Sequence, residues 1–486
     1  MVNDSGTTKR AKFAGIGVLN RFEPFRAPRL FFTPVRSRGM NVANGLKPIR
    51  PQLRTRIEGS GQLTNRIVST AIVVLVLALL IIGTSGGSFN AHAGSNAEDP
   101  NATGHLVISD AQRRATVIDY QRLDQRLQAL AQKQDMIGLA VGIVEDGEIR
   151  FLKGYGETVA GSGDRVTPDT VFRWASLSKG VAGDMVAKLA AEGKLSVDDP
   201  VGKYSASLRL PGGSEQRATV ADLLSHRLGI YGHAYESKLE EGGDPRVLRA
   251  SLATLNPVCA PGQCWAYQNV AYDAASEVVE KVTGEAYQRA VREQLFLPLG
   301  MRSATLTRDG LERAASWARP YRGGKGSRPV EVTDSYYRVP AAGGVNSSIK
   351  DLAIWLRAQM GADPDVLSPE VLDTVQSARA ATPGELGRMR KFRERLHAAS
   401  YGLGWRSYDY AGHRIVGHRG GVTGYRSLIL FDPALKTGVV ALWNSSSNQP
   451  AGVEFEVMDM LYKLPPRDWL GLDGGRAPAA QDATPA

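Results

Sequence analysis

Strand patterning at both ends of the body of this chain, with helix patterning between, constrains the fold more than any other feature. Near one end, residues 138–156 (GLAVGIVEDGEIRFLKGYG) form two apolar-rich runs around Asp146-Gly147, a dipeptide that favours tight hairpins. Near the other, residues 426–432 (RSLILFD) and 438–444 (GVVALWN) read as strands separated by a turn containing Pro433. Between them, residues 181–195, 270–284 and 349–361 carry helical periodicity, and Val117, Tyr120, Leu123, Leu127 and Leu130 repeat at the same spacing ahead of the first hairpin. This layout predicts an α/β fold in which one sheet is assembled from both ends and a mainly helical lobe is inserted between. No internal repeat is visible.

The net charge of +10 would suggest nucleic acid were it spread over the body. It is not. Residues 1–66 hold thirteen Lys/Arg and three Asp/Glu, and everything downstream balances at forty-six of each sign. That leading segment lacks periodicity and reads as a disordered cytoplasmic arm. After it, Ile67–Gly83 (IVSTAIVVLVLALLIIG) is apolar and free of charge, about 26 Å long as a helix, with Arg66, Arg56 and Arg54 on its N-terminal side. Basic residues before an apolar segment hold that end in the cytoplasm, so the body is expected outside it, periplasmic and membrane-anchored. Ala91-His92-Ala93 also fits a signal cleavage site, which leaves secretion after cleavage as the alternative. The expected organisation is a basic segment at 1–66, a transmembrane anchor or signal at 67–87, a linker at 88–110, the folded body at 111–472 and a disordered tail at 473–486.

Cys259 and Cys264 are the only cysteines, and they bracket a Pro261-Gly262 turn signal. In an exported protein such a pair is expected to form a disulfide, here bracing the loop that leads into Tyr267. Two thiolates with no histidine nearby make a poor metal site.

Chemistry enters with Ser176-Leu177-Ser178-Lys179. Residues three apart on a helix are neighbours, so Ser176 and Lys179 face each other. A serine hydroxyl needs an adjacent base, and a desolvated lysine beside other cations can serve. Taken alone, S-x-x-K is more often solvated helix surface. Tyr267-Gln268-Asn269 alone reads as a buried structural tyrosine. With His418-Arg419-Gly420 the three occur in order, roughly 90 and 150 residues apart, and together they are far more specific.

At this point the chain resembles the serine β-lactamase and penicillin-binding superfamily, on the branch of the class C β-lactamases with their D-Ala-D-Ala carboxypeptidase, D-aminopeptidase and esterase relatives. The resemblance covers about residues 111–465. It includes Phe172-Arg173-Trp174-Ala175, Gly193-Lys194-Leu195, Val197-Asp198-Asp199-Pro200-Val201, Asp222-Leu223-Leu224-Ser225-His226, Pro298-Leu299-Gly300-Met301, Ala342-Gly343-Gly344 and Tyr401-Gly402-Leu403-Gly404-Trp405. It implies a β-lactamase-like fold, with an antiparallel sheet flanked by helices. It also implies that Ser176 attacks a carbonyl to form an acyl-enzyme, with Lys179 and Tyr267 sharing the base work and Tyr267 protonating the leaving group. Asn269 would hold Lys179 and bind a substrate amide. The N–H groups of Ser176 and Gly421 would form an oxyanion hole, while His418 and Gly420 line the substrate strand.

Two departures matter. Class C β-lactamases carry lysine where this chain has His418, which points to ester or peptide substrates rather than efficient β-lactam hydrolysis. Arg419 either restores a positive charge towards substrate or points to the opposite face of the strand, the preferred reading. Lys436-Thr437-Gly438 spells the lactamase triad but falls in a turn. Gly83-Thr84-Ser85-Gly86-Gly87 matches a nucleophile elbow without the context for one. His226 and His233 form no metal-ligand pattern and read as structural, and the basic run Arg388–Arg393 as a solvated face. The expected function is therefore an exported serine hydrolase acting on an ester, amide or D-amino-acid peptide, cell-wall peptide among them, with no cofactor and no nucleic-acid partner. A slow-turnover penicillin-binding sensor and an inactive scaffold are the rivals. Nothing in the sequence sets the oligomeric state, and the loops at 227–260 and 310–340 are expected to shape substrate choice.

Overall fold

The computed structural model describes residues 116–474. The basic segment, the apolar segment at 67–87, the linker at 88–110 and the end of the tail lie outside the described residues, and the expected transmembrane helix with them. Among the described residues no helix is long and apolar enough to cross a membrane.

The two strand-patterned ends meet in one antiparallel sheet. β1 (Gly138–Glu145) and β2 (Glu148–Gly156) form the predicted hairpin, with Asp146 and Gly147 both in the left-handed region at φ 53° and 76°. β3 (Val171–Arg173) pairs with β4 (Asn346–Ser348) in a separate two-stranded ribbon. The remaining strands are β5 (Ala380–Ala381), β6 (Leu396–Tyr401), β7 (Arg406–Tyr410), β8 (His413–Val422), β9 (Tyr425–Asp432) and β10 (Thr437–Trp443). The sheet order is β2-β1-β10-β9-β8-β7-β6-β5, so the first strand of the fold closes against the last.

β1 and β10 are buried along their whole lengths because helices cover both faces. Strand alternation divides their side chains between two layers. Leu139, Val141 and Ile143 pack with helix α1 (Tyr120–Ala131) on the outer face, whereas Ala140 and Val144 face the inserted lobe. That lobe contributes α2 (Ser178–Ala191) and α3 (Ile349–Gln359), and the C-terminal α4 (Val453–Leu461) joins α1 outside. α2 runs so close to the segment before β7 that a Cβ on Gly183 would lie 2.1 Å from the Leu403 carbonyl oxygen. This contact fixes the helix against the sheet. In the basic run Arg388–Arg393, Met389 and Phe392 turn inward while the charged side chains stay exposed.

Candidate active site

Ser176 sits where β3 hands over to α2, and its position is set by its neighbours' hydrogen bonds. The Trp174 N–H donates to Val345 O (2.8 Å) and its indole to Ser347 Oγ (2.8 Å), while its carbonyl accepts from Ser427 Oγ of β9 (2.6 Å). Ala175 then takes φ 50°, a conformation that a non-glycine residue keeps only when its surroundings impose it. Ser178 Oγ donates to Ala175 O (2.7 Å) and accepts from the Val345 N–H (3.0 Å), closing the turn. Ser176 is left half-buried at the base of α2.

Lys179 is fully buried one turn further on. Its Nζ donates to Asn269 Oδ1 and to Ala342 O (2.8 Å), and lies 3.4 Å from Ser176 Oγ. Burial draws its pKa down to about 7; Glu236 and Asp273 oppose this, and Arg406 adds to it. A neutral amine has two N–H bonds and one lone pair. The two donors are engaged by Asn269 and Ala342, so the lone pair is left for Ser176. The 3.4 Å separation is loose, as resting catalytic contacts often are.

The Tyr267 hydroxyl donates to Ser176 Oγ at 2.9 Å, and Lys179 Nζ lies 4.7 Å from the centre of its ring. Burial raises the phenol above its ordinary value, with Ser176 and Arg406 acting against it. The expected sharing of base work therefore divides. Near neutral pH, Lys179 is the group able to accept a proton and Tyr267 the group that already carries one. The Cys259–Cys264 disulfide forms (Cα–Cα 6.2 Å), and its loop is tied back by the Arg227 guanidinium to Gly262 O (3.0 Å) and by the Ala266 N–H to His226 O (2.9 Å).

His418 departs from the expected substrate contact. It is buried, and both ring nitrogens are engaged within the protein: Nδ1 donates to Arg419 O (2.8 Å) and Nε2 accepts from the Tyr401 hydroxyl (3.0 Å). The Tyr401 oxygen in turn accepts from His226 Nε2 (3.3 Å), whose Nδ1 accepts the Gln268 N–H (3.2 Å). These roles follow from the carbonyl at one end and the N–H at the other, which fix both tautomers. Burial and the positive charge of Arg406 and Lys179 hold both imidazoles well below their ordinary pKa, so both stay neutral. The chain braces Tyr267, whose ring centre is 4.4 Å from that of His226.

Gly420 lies beside the nucleophile, with its Cβ position 3.1 Å from Ser176 N, and Gly421 follows it on β8. A Cβ on Gly420 would meet Ser427 Oγ at 2.2 Å and Trp174 O at 2.3 Å, so no larger residue fits. Val422 and Tyr425 close the β8–β9 turn, and β7 stops pairing with β8 at Gly417. Alternation along β8 then turns the Gly421 N–H away from β9, towards the open side where an oxyanion could sit. Arg419 points to the outer face, where its guanidinium pairs with Glu454. Lys436-Thr437-Gly438 forms the turn at the opposite end of β9, against the β1–β2 hairpin.

Glu236 is the site residue that the sequence did not reveal. Its carboxylate accepts from Asn269 Nδ2 at 2.7 Å and lies 3.0 Å from His233 Nδ1. It belongs to no motif, and only its place in the 227–260 loop marked it. Arg406, equally unmarked, lies over the rings of Trp265, Tyr267 and Tyr401.

A serine flanked by a buried lysine and a tyrosine, at the junction of a helical lobe and an antiparallel sheet, defines the β-lactamase-fold serine hydrolases. The chain belongs to the β-lactamase family, whose model matches residues 123–459, well over half of it. It is 29% identical over 354 residues to the unguisins hydrolase ungD' of Aspergillus campestris (strain IBT 28561), a match covering 68% of this chain and 64% of that protein, just under two thirds of the relative's length. Among solved structures it is similar to the octameric penicillin-binding protein homologue from Pyrococcus abyssi (TM-score 0.64, 27% identity, 73% of this chain and 80% of that one). It shares its fold with a class C β-lactamase (TM-score 0.58, 23% identity, 71% and 96% covered).

Proposed function

We propose that this protein hydrolyses an ester or amide bond, D-amino-acid peptides included, through an acyl-enzyme on Ser176. The observation that carries the reading is the convergence on one Ser176 oxygen of a lone-pair-bearing lysine (3.4 Å) and a proton-bearing tyrosine (2.9 Å). Neutral Lys179 takes the Ser176 proton as Oγ attacks the carbonyl carbon. The N–H groups of Ser176 and Gly421 receive the developing oxyanion. Tyr267 gives its proton to the leaving group and is reprotonated from Lys179. Water then attacks the acyl carbon by the same route in reverse. Neutral, internally bonded His418 offers no charge for a substrate carboxylate, which favours esters and amides over β-lactams.

The basic and apolar run ahead of the body and the disulfide both support an exported, membrane-anchored enzyme. The test is intact-mass spectrometry of the full-length protein in detergent, incubated separately with a fluorophosphonate, a short-chain aryl ester and a penicillin. A fluorophosphonate adduct on Ser176, absent from Ser176→Ala, with ester turnover is the expected result. A lingering penicilloyl adduct without turnover would favour the penicillin-binding sensor. The absence of any adduct on Ser176 would overturn the reading.

A further inference from the structure

The segment that carries Glu236 is held in a strained shape. His226, His233 and Tyr235 all adopt left-handed φ, at 60°, 59° and 59°. Such conformations persist when their surroundings over-determine them, and they cluster at functional sites. Here the surroundings are the backbone around Tyr267: the His233 N–H donates to Tyr267 O (2.8 Å), the Ala234 N–H to Gln268 Oε1 (3.3 Å) and Gln268 Nε2 to Tyr231 O. The outcome of this stitching is a carboxylate delivered to the back of Asn269.

An amide side chain has a donor end and an acceptor end, and Asn269 could present either to Lys179. With its donor end held by Glu236 at 2.7 Å, its acceptor end faces the amine, which donates to it. Reversed, the amide would point N–H bonds at the Lys179 nitrogen and compete with Ser176 for the lone pair. We propose that Glu236 is the positioning residue of this site: its carboxylate fixes the orientation of the Asn269 amide and supplies the negative charge against which Lys179 loses its proton. The proposal rests on the roles given above to Ser176 and Lys179.

Several other groups share this field. Lys179 faces Arg406 from β7, His418 from β8, His226 from the strained segment, Asp273, and the rings of Tyr267 and Tyr272. Glu236 faces His233, Tyr267 and Tyr336. Of the carboxylates acting on Lys179, Asp273 is bound by buried Arg249 at 2.8 Å, whereas Glu236 touches Asn269 directly.

The rate of fluorophosphonate labelling at Ser176, measured against pH on the full-length protein in detergent, needs no knowledge of the natural substrate. Glu236→Gln keeps an acceptor for Asn269 and removes only the charge. Lys179 then loses its proton more readily, so the acidic limb of the profile moves down by roughly half to one pH unit and the plateau stays within about threefold of wild type. Glu236→Leu frees the amide to turn, and the plateau falls about 10- to 100-fold, the range for losing a hydrogen bond to a charged group. His233→Gln, which removes the other titratable group on the carboxylate, leaves the limb in place. An unmoved or upward-moving limb in Glu236→Gln overturns the proposal, as does a His233→Gln shift of equal size. Equal plateau losses in the Gln and Leu variants, with no change of limb, would reduce Glu236 to a structural role and also overturn it. A wild type that fails to label at Ser176 overturns the functional reading and this proposal together; one that labels normally with an unmoved limb overturns this proposal alone.

Discussion

On the side of the sheet covered by α1 and α4, buried carboxylates are held against arginines. Arg126 bridges Glu456 and Asp468 (2.7 Å), and Arg395 bridges Asp459, which also accepts from Tyr410 (2.6 Å) and Trp469 (2.7 Å). On the side that holds Ser176, Lys179 meets an amide and a carbonyl, Asp184 meets Gln359, and two histidines share one tyrosine hydroxyl. Burial without a contacting counter-ion moves these groups towards their neutral forms, with Lys179 at about 7 and Asp184 raised to about 8. β8 makes the contrast within two residues: the pleat sends Arg419 to its glutamate outside and His418 to its tyrosine inside. A touching arginine opposes that drift, as Arg126 does at Glu456 and Arg395 at Asp459; where none touches, as at Lys179, burial produces a group that changes state near neutrality. The first serves the fold, the second the chemistry.

The sharpest way to break this contrast is Lys179→Met. Labelling and ester turnover should fall by about 10³-fold or more, since general base catalysis is lost. Stability should rise. Lys179 titrates near 7 in the fold and near 10.4 unfolded, so the unfolded chain binds the extra proton between those values. The advantage of the variant over wild type should therefore be greatest at and below pH 7, on the order of 2–4 kcal/mol, and close as pH approaches 10. Urea titrations at pH 7 and pH 10 measure it. A variant less stable than wild type at both would mean that the lysine is a structural anchor.

Arg395→Met asks the opposite question. Asp459 keeps Tyr410 and Trp469 but loses its counter-ion, and the fold should lose about 3 kcal/mol. Labelling of the folded fraction at Ser176 should be unchanged. A slower label at full folding would show that the outer layer reaches the chemistry. Smallest is reduction of Cys259–Cys264. The closed loop is short, so about 2 kcal/mol is expected; a Tm that does not move on reduction would show that the loop's hydrogen bonds suffice without the bridge.

The sheet built from both ends, the Asp146-Gly147 turn and the Ser176, Lys179 and Tyr267 motifs were legible because each depends on local pattern or short spacing. The structure places those three side chains within contact of one another. What the sequence hid depends on long-range closure. Glu236 matters only because the left-handed residues before it fold the loop back onto Asn269, and no motif announces that. His418 could be located but not oriented, because its ring nitrogens are claimed by Tyr401, seventeen positions earlier, and by its own strand's carbonyl. The Lys436-Thr437-Gly438 string shows the converse: the right letters fall at the far end of β9, against the first hairpin and not beside Ser427 and Trp174.

The pairing of β1 with β10 also sets a timetable. Leu139 lies opposite Trp443 and Val144 opposite Gly438, so the first hairpin made waits for almost the last segment of the body before its inner edge is covered. Until then it presents an unpaired, apolar strand of the kind that invites wrong partners. Contacts so distant in sequence form slowly, because a long loop must close before they repay its entropy. A chain emerging in sequence order must therefore be kept from committing its first strands while some three hundred residues follow. Truncation before Thr437 should leave a product prone to aggregate rather than a smaller enzyme.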